Sequence, residues 1–170
     1  MVHSLELLFD ADTEAALARL WHDIEDAADL PSRVPAGRPH VTVAVAERIA
    51  PDVDELLLPI ARQLPIECSV GAPLLFGQSN AVLARLIVPS AELLGLHAAI
   101  HRVCGLYLLP GPLPHSLPDQ WTPHVTLARR IENASVGPVL RLAGQPAEVR
   151  GRLAGLRRWD GTERVEYPIG

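Results

Sequence analysis

Pro39-His40-Val41-Thr42-Val43-Ala44 and Pro123-His124-Val125-Thr126-Leu127-Ala128 are two copies of one hexapeptide, about half a chain apart in 170 residues. Five of the six positions are identical, and the sixth exchanges one aliphatic residue, Val43, for another, Leu127. The chain holds only five threonines and seven histidines, and two of each fall in this register. Chance repetition of common residues does not explain such a match. In a strand, residues i and i+2 share a face, so each histidine lies beside its threonine, ~6.6–6.8 Å along the chain. Val41, Val43 and Val45 point to the opposite face, as do Val125 and Leu127, where helices can cover them. Ala44, Ala46 and Ala128 are expected to continue the His/Thr face with small side chains, as the floor of a cleft.

Outward from the motifs, the pattern alternates strands and helices. Val2 to Phe9 reads as a strand, and Asp10 and Asp12 offer caps for a helix from Thr13 to about Ala28. Pro31, Pro35 and Gly37 break it before the first motif strand, expected over 38–46. A helix from Asp52 to about Gln63, strands at 66–76 and 81–88 around Gly77-Gln78-Ser79-Asn80, and a helix capped by Ser90 follow. Residues 108–120 carry four prolines and a glycine and are expected to form a long irregular loop. The second motif strand at 123–130, a weakly helical stretch at 134–144 and strands at 147–158 and 163–168 complete an α+β pattern. The repeated motif suggests a pseudo-duplication with halves of roughly 1–85 and 86–170 inside one domain.

Composition narrows the chemistry. Hydrophobic residues make up 48% and charged residues 21%, a globular balance. A net charge of −5 argues against gripping duplex DNA by bulk electrostatics. All fifteen basic residues are arginine, which excludes a lysine nucleophile, a lysine Schiff base and a P-loop lysine. Cys68 and Cys104 lack metal-ligand spacing. The N-terminus has no secretory pattern and no run approaches a membrane span, so a soluble cytoplasmic protein is expected.

Two imidazoles suit phosphodiester hydrolysis. One side chain must deprotonate the attacking water and another must protonate the leaving oxygen, and histidines near their ordinary value of 6.5 divide those tasks at neutral pH. Threonine hydroxyls can donate to the non-bridging oxygens. Elsewhere, His97 and His101 stand at i, i+4 on the third helix without a His-Glu-x-x-His pattern, and read as packed rather than metal-binding. His115 reads as a solvated loop residue. Arg150, Arg152, Arg157 and Arg158 read as a solvated sheet face. Arg130 is expected to share the His124 face and steer a phosphate, with Arg38 similarly placed near His40, and Trp121 either stacks a base or sugar at the cleft rim or anchors its loop.

Paired His-x-Thr-x motifs half a chain apart, with Trp121-Thr122-Pro123 before the second and Ala128-Arg129 after it, resemble the two-histidine phosphoesterase superfamily. The branch most similar is that of the 2′-5′ RNA ligase-like proteins and RNA 2′,3′-cyclic phosphodiesterases. The resemblance implies a bilobal fold with two antiparallel sheets facing a central cleft and helices outside. It implies His40 and His124 as the catalytic pair, Thr42 and Thr126 as phosphate-binding residues, and neither metal nor other cofactor. A monomer acting on RNA or a nucleotide with a cyclic phosphate end is the expected form. Aromatic residues are scarce at 4%, so small nucleotides, including ADP-ribose-like cyclic phosphates, stand beside RNA as substrates. Ligation or nucleotide binding without turnover are the alternatives.

Overall fold

A computed structural model describes residues 1–26, 35, 37–77 and 80–170. The expected end of the first helix near Ala28, Pro31, and Gln78 and Ser79 of the hairpin turn lie outside the described residues. The chain order is β1 (His3–Phe9), α1 (Ala11–Asp26), β2 (His40–Ile49), α2 (Val53–Ala61), β3 (Ile66–Phe76), β4 (Ala81–Ile87), α3 (Ala91–Cys104), β5 (Leu108–Pro112), β6 (His124–Ile131), α4 (Val136–Ala143), β7 (Val149–Asp160) and β8 (Val165–Ile169). Two caps read from the sequence are present: Thr13 N–H donates to Asp10 Oδ1 at 2.9 Å, and Leu93 N–H to Ser90 Oγ at 3.1 Å. Each satisfies one of the orphan donors of a first helical turn.

The α+β class is as expected, but the strands form one antiparallel sheet instead of two separate ones. Hydrogen bonding runs β1-β2-β6-β4-β3-β7 and returns to β1, with β8 added to β7 and β5 added to β2. The joining element is β7, whose 12 residues are long enough to pair with β3 through Val149–Leu153 and with β1 through Leu153–Asp160. On the other side one residue pair, Val41 with Val125, links β2 to β6. The pairings of the first half recur in the second. β1 pairs with β2 as β4 pairs with β6, and β7 lies on β1 as β3 lies on β4.

The helices cross between the halves. α1 and α4 cover β4 and β6, burying Leu20, Trp21 and Ile24 with Leu83, Leu127 and Val139. α2 and α3 cover the strands of the first half, burying Leu57, Leu93 and Ile100 with Leu5, Leu7 and Val43. The start of α1 is pressed so closely onto β7 that a Cβ on Gly151 would lie 1.7 Å from Thr13 Oγ1. Only glycine fits there.

Two expectations fail for definable reasons. The stretch 108–120 contains β5, which pairs with β2 between Leu108 and Pro112. It is an edge strand, where a proline's missing N–H faces no neighbour. The alternation of each motif strand also breaks after its threonine. Leu5 and Glu6 are successive on β1, yet they pair with Ala44 and Thr42; Leu83 and Ala84 likewise pair with Ala128 and Thr126. Val43 and Leu127 are therefore extra residues of two β-bulges at the same motif position. Beyond each bulge the faces exchange, so Ala44, Ala46 and Ala128 are fully buried core residues and not a cleft floor.

Candidate active site

The bulges confine each His/Thr face to a short segment, and the Val41–Val125 pair brings the two segments together. Both valines are fully buried. The residues flanking them alternate to the opposite face, so His40, Thr42, His124 and Thr126 surround one point. In antiparallel register, each histidine stands across from the other strand's threonine. The histidines are then diagonal neighbours, ~7–8 Å apart at their Cα atoms. All four side chains are partly exposed, and neither threonine hydroxyl has a protein partner among the described residues.

The rings are held alike. His40 Nδ1 lies 2.9 Å from the Arg38 carbonyl and His124 Nδ1 lies 2.7 Å from the Thr122 carbonyl. A carbonyl accepts only, so each Nδ1 carries hydrogen and each Nε2 is left for chemistry. The surroundings of the two Nε2 atoms differ. Glu6 Oε1 is 3.5 Å from His40 Nε2. Its carboxylate is buried, receives Ser4 Oγ at 2.6 Å, and takes Arg157 through Nε at 2.8 Å and Nη2 at 2.7 Å. Arg157 is shared with Glu166, so one guanidinium serves two carboxylates. Ala84 occupies the register equivalent to Glu6 in the second copy. His124 instead meets the ring of Phe76 at 4.7 Å. Burial pushes its pKa below the ordinary histidine value, against its backbone hydrogen bond to Thr122, and Arg129 and His40 add to the depression.

Past the valine pair, each threonine carbonyl takes an indole N–H from the other half of the chain. Trp121 donates to Thr42 O at 2.9 Å and Trp21, on α1, to Thr126 O at 3.1 Å. Trp121 is thus an anchor, stacked on His97 with centroids 4.0 Å apart and 3° between planes. The α3 histidines grip the first bulge. His97 Nε2–H is shared between the carbonyls of Val43, at 3.1 Å, and Ser116, at 2.9 Å, and His101 Nε2–H donates to Val43 O at 2.9 Å.

Burial, with His101 close by, lowers His97 to about 4, against its two backbone hydrogen bonds. The folded state then keeps it neutral between pH 6.5 and 4 while the unfolded chain binds a proton. Stability is present above 6.5 and is lost as the pH falls through that window, by about 3 kcal/mol at 1.36 kcal/mol per unit. Urea unfolding at pH 7 and pH 4 should show that the stability gap between wild type and His97→Gln narrows by about that amount on acidification. A gap independent of pH would contradict the assignment.

The remaining sequence candidates divide. Arg130, expected on the His124 face, is exposed at φ +61°, where the register shifts a second time between the Leu83–Ala128 and Ala81–Ile131 pairs; Arg129 is the arginine whose charge acts on His124. Arg38 pairs with Glu14 at 2.5 Å. Arg157 and Arg158 are buried ion-paired residues, the latter held by Asp54 at 2.8 Å, and not part of a solvated face; Arg150 and Arg152 are exposed. His115 is exposed at φ +67°. No cluster of three potential metal ligands occurs among the described residues. Glu6, Phe76 and Trp21 are the site neighbours that alternation or helix periodicity alone leaves as ordinary strand and core residues.

A family model described as the 2′-5′ RNA ligase superfamily matches residues 11–163. No curated protein matches. Among solved structures, Kluyveromyces marxianus Usb1 with uridine monophosphate is similar at TM-score 0.53 and 13% identity, over 99% of this chain and 97% of that one. Another structure of Kluyveromyces marxianus Usb1 gives 0.55 and 15%, with the same coverage. TT0787 of Thermus thermophilus gives 0.60 and 17%, over 100% of this chain and 96% of that one. At these identities the likeness is one of fold.

Proposed function

The chain belongs to the 2′-5′ RNA ligase superfamily, and on that premise we propose that it opens a 2′,3′-cyclic phosphate to a phosphomonoester without a metal. The observation that carries this reading is the pair of histidines around the Val41–Val125 contact, each with Nδ1 tied to the carbonyl two residues before it. Usb1 was solved with a nucleoside monophosphate, the class of ligand this reaction handles.

Glu6 separates the two roles. A proton on His40 Nε2 has a carboxylate beside it, whereas His124, desolvated under Phe76, favours the neutral form. His124 Nε2 accordingly takes a proton from water as the water oxygen bonds to phosphorus. His40 Nε2 gives its proton to the ribose oxygen as the P–O bond breaks. Thr42 and Thr126 hydroxyls donate to the non-bridging oxygens, where charge is held through the displacement. With a ribose hydroxyl in place of water, the same step is the ligation named in the family description.

The test is turnover of adenosine, cytidine and uridine 2′,3′-cyclic phosphates in excess EDTA, with products separated by chromatography. A single phosphomonoester at an unchanged rate is expected. Loss of activity in chelator, or no product from any of the three, would remove this reading.

A further inference from the structure

One residue pair, Val41 with Val125, is all the ladder that joins β2 to β6, yet four side chains from these two strands have to meet one small anion. A ladder that short leaves the peptide groups beyond it with no partner from the facing strand, free to turn unless another donor takes them. An indole does so on each side. Trp121 donates to Thr42 O at 2.9 Å and Trp21 to Thr126 O at 3.1 Å.

What each indole is attached to decides its role. Trp121 immediately precedes Thr122, whose carbonyl holds His124 Nδ1, and Pro123 O of the same lead-in accepts Ile87 N–H at 2.9 Å. Trp121 therefore ties Thr42 to the segment that aims His124. Trp21 lies two turns along α1 from Glu14, on the same face. Glu14 Oε2 holds Arg38 through Nε at 3.1 Å and Nη2 at 2.5 Å, and the Arg38 carbonyl holds His40 Nδ1 at 2.9 Å. Helix α1 therefore ties Thr126 to the segment that aims His40.

The two ties match the strand register. Across the Val41–Val125 pair, Thr42 stands opposite His124 and Thr126 opposite His40. Each tie thus spans one facing His/Thr pair, and neither comes from the ladder. They are built from unrelated parts, a loop residue in one case and a helix in the other. Their recurrence is therefore not a by-product of the repeated hexapeptide.

We infer that Trp121 and Trp21 are positioning residues of the reaction, each setting the separation of one facing His/Thr pair across the seam between the motif strands. The inference rests on the proposed phosphodiesterase reading. Each indole N–H is spent on a carbonyl and acts through its threonine, whose hydroxyl holds charge on the non-bridging oxygens during the displacement. Slack in a tie is accordingly felt in kcat more than in KM.

The experiment is a set of double-mutant cycles on uridine 2′,3′-cyclic phosphate. Trp121→Phe and Trp21→Phe remove the N–H and keep an aromatic ring. Each should lower kcat by roughly 10–100-fold, as misplacement of a reacting group does, with KM within about twofold. In Thr42→Val the Trp121→Phe loss should shrink below about threefold, because no hydroxyl is left to place, and in Thr126→Val it should persist in full. Trp21→Phe should show the reverse. A general loosening of the fold would lower both backgrounds alike. Binding of the uridine–vanadate complex, a five-coordinate mimic of the displacement, followed by vanadium NMR, should weaken in the same crossed pattern and requires no turnover. A protein that binds the mimic in that pattern but opens no cyclic phosphate refutes the proposed reaction and sustains the two ties. An active enzyme whose Trp121→Phe loss is absent, or is the same in both valine backgrounds, overturns them and leaves the reaction standing. A protein with neither turnover nor affinity for the mimic overturns both. Trp121 is half-buried, so its arm decides the proposal by itself should Trp21→Phe, in the core, fail to fold.

Discussion

His124→Ala is expected to lower kcat/KM on a nucleoside 2′,3′-cyclic phosphate by about 10³-fold, within the 10²–10⁴ typical of one proton-transfer group. His40→Ala should cost as much. The double variant should cost little more than either single one, because the two rings serve one transition state and cease to act as a unit once either is gone. The side chains are partly exposed, so thermal unfolding should barely move, which separates chemistry from folding. The pH dependence carries a sign. Desolvation under Phe76 holds His124 below its ordinary value, so the base stays unprotonated at lower pH than a free imidazole. The acidic limb of the kcat/KM profile should therefore lie below pH 6.5, and Phe76→Ala, which rehydrates the ring, should move it upward. Retention of activity within tenfold in His124→Ala, or an acidic limb that ignores Phe76, would discard the assignment of His124 as base.

How much of this site can be read from the sequence follows from what period 2 encodes. His40, Thr42, His124 and Thr126 are legible because the motif repeats and because i and i+2 share a face before anything interrupts the strand. The interruptions are not. A bulge adds one residue without changing composition, and Ala44, Ala46 and Ala128 are small enough to suit either face. The phase changes again further along β6, between the Leu83–Ala128 and Ala81–Ile131 pairs, so simple alternation does not carry as far as Arg130. Glu6 looks like the solvent side of β1 because alternation with Leu5 and Leu7 says only which residues differ in facing, and on that second side Glu6 meets Arg157 of β7 and His40 of β2. Burial of such a carboxylate is decided by partners distant in sequence. The caps Asp10 and Ser90 are legible because capping is local. The same locality explains the loss of β5, whose prolines signal a loop and whose pairing with β2 depends on an edge that local sequence does not describe.

Arg85→Met should destabilise the fold by about 4 kcal/mol, and the argument runs through hydrogen bonds, not charge pairing. Arg85 is fully buried with no carboxylate partner among the described residues. Its guanidinium instead ties four carbonyls: Gly71 through Nε, Ala143 at 2.9 Å, and Val70 and Ala147 at 3.1 and 2.9 Å. Those acceptors belong to the break in β3 pairing between Val70 and Pro73, to the end of α4, and to the segment leading into β7. A planar fork reaches all of them at once, which an ammonium cannot. Each buried carbonyl left unpaired costs ~1–3 kcal/mol, while removal of the buried charge returns part of its desolvation. The balance over four acceptors, with some rehydrated, gives the figure above. For a chain of this size it corresponds to a fall in Tm of roughly 8–16 °C. Arg85→Lys keeps the charge and gathers its three donors on one atom, so it should lose most of the same stability. Calorimetry of both variants decides the matter, since a stable Lys variant would show that the fork geometry is not what holds these segments. Arg85 also pairs with Val125, one residue from His124. The Met variant should therefore lose activity at temperatures where it is still folded, as the second motif loses the neighbour that fixes its strand against β3.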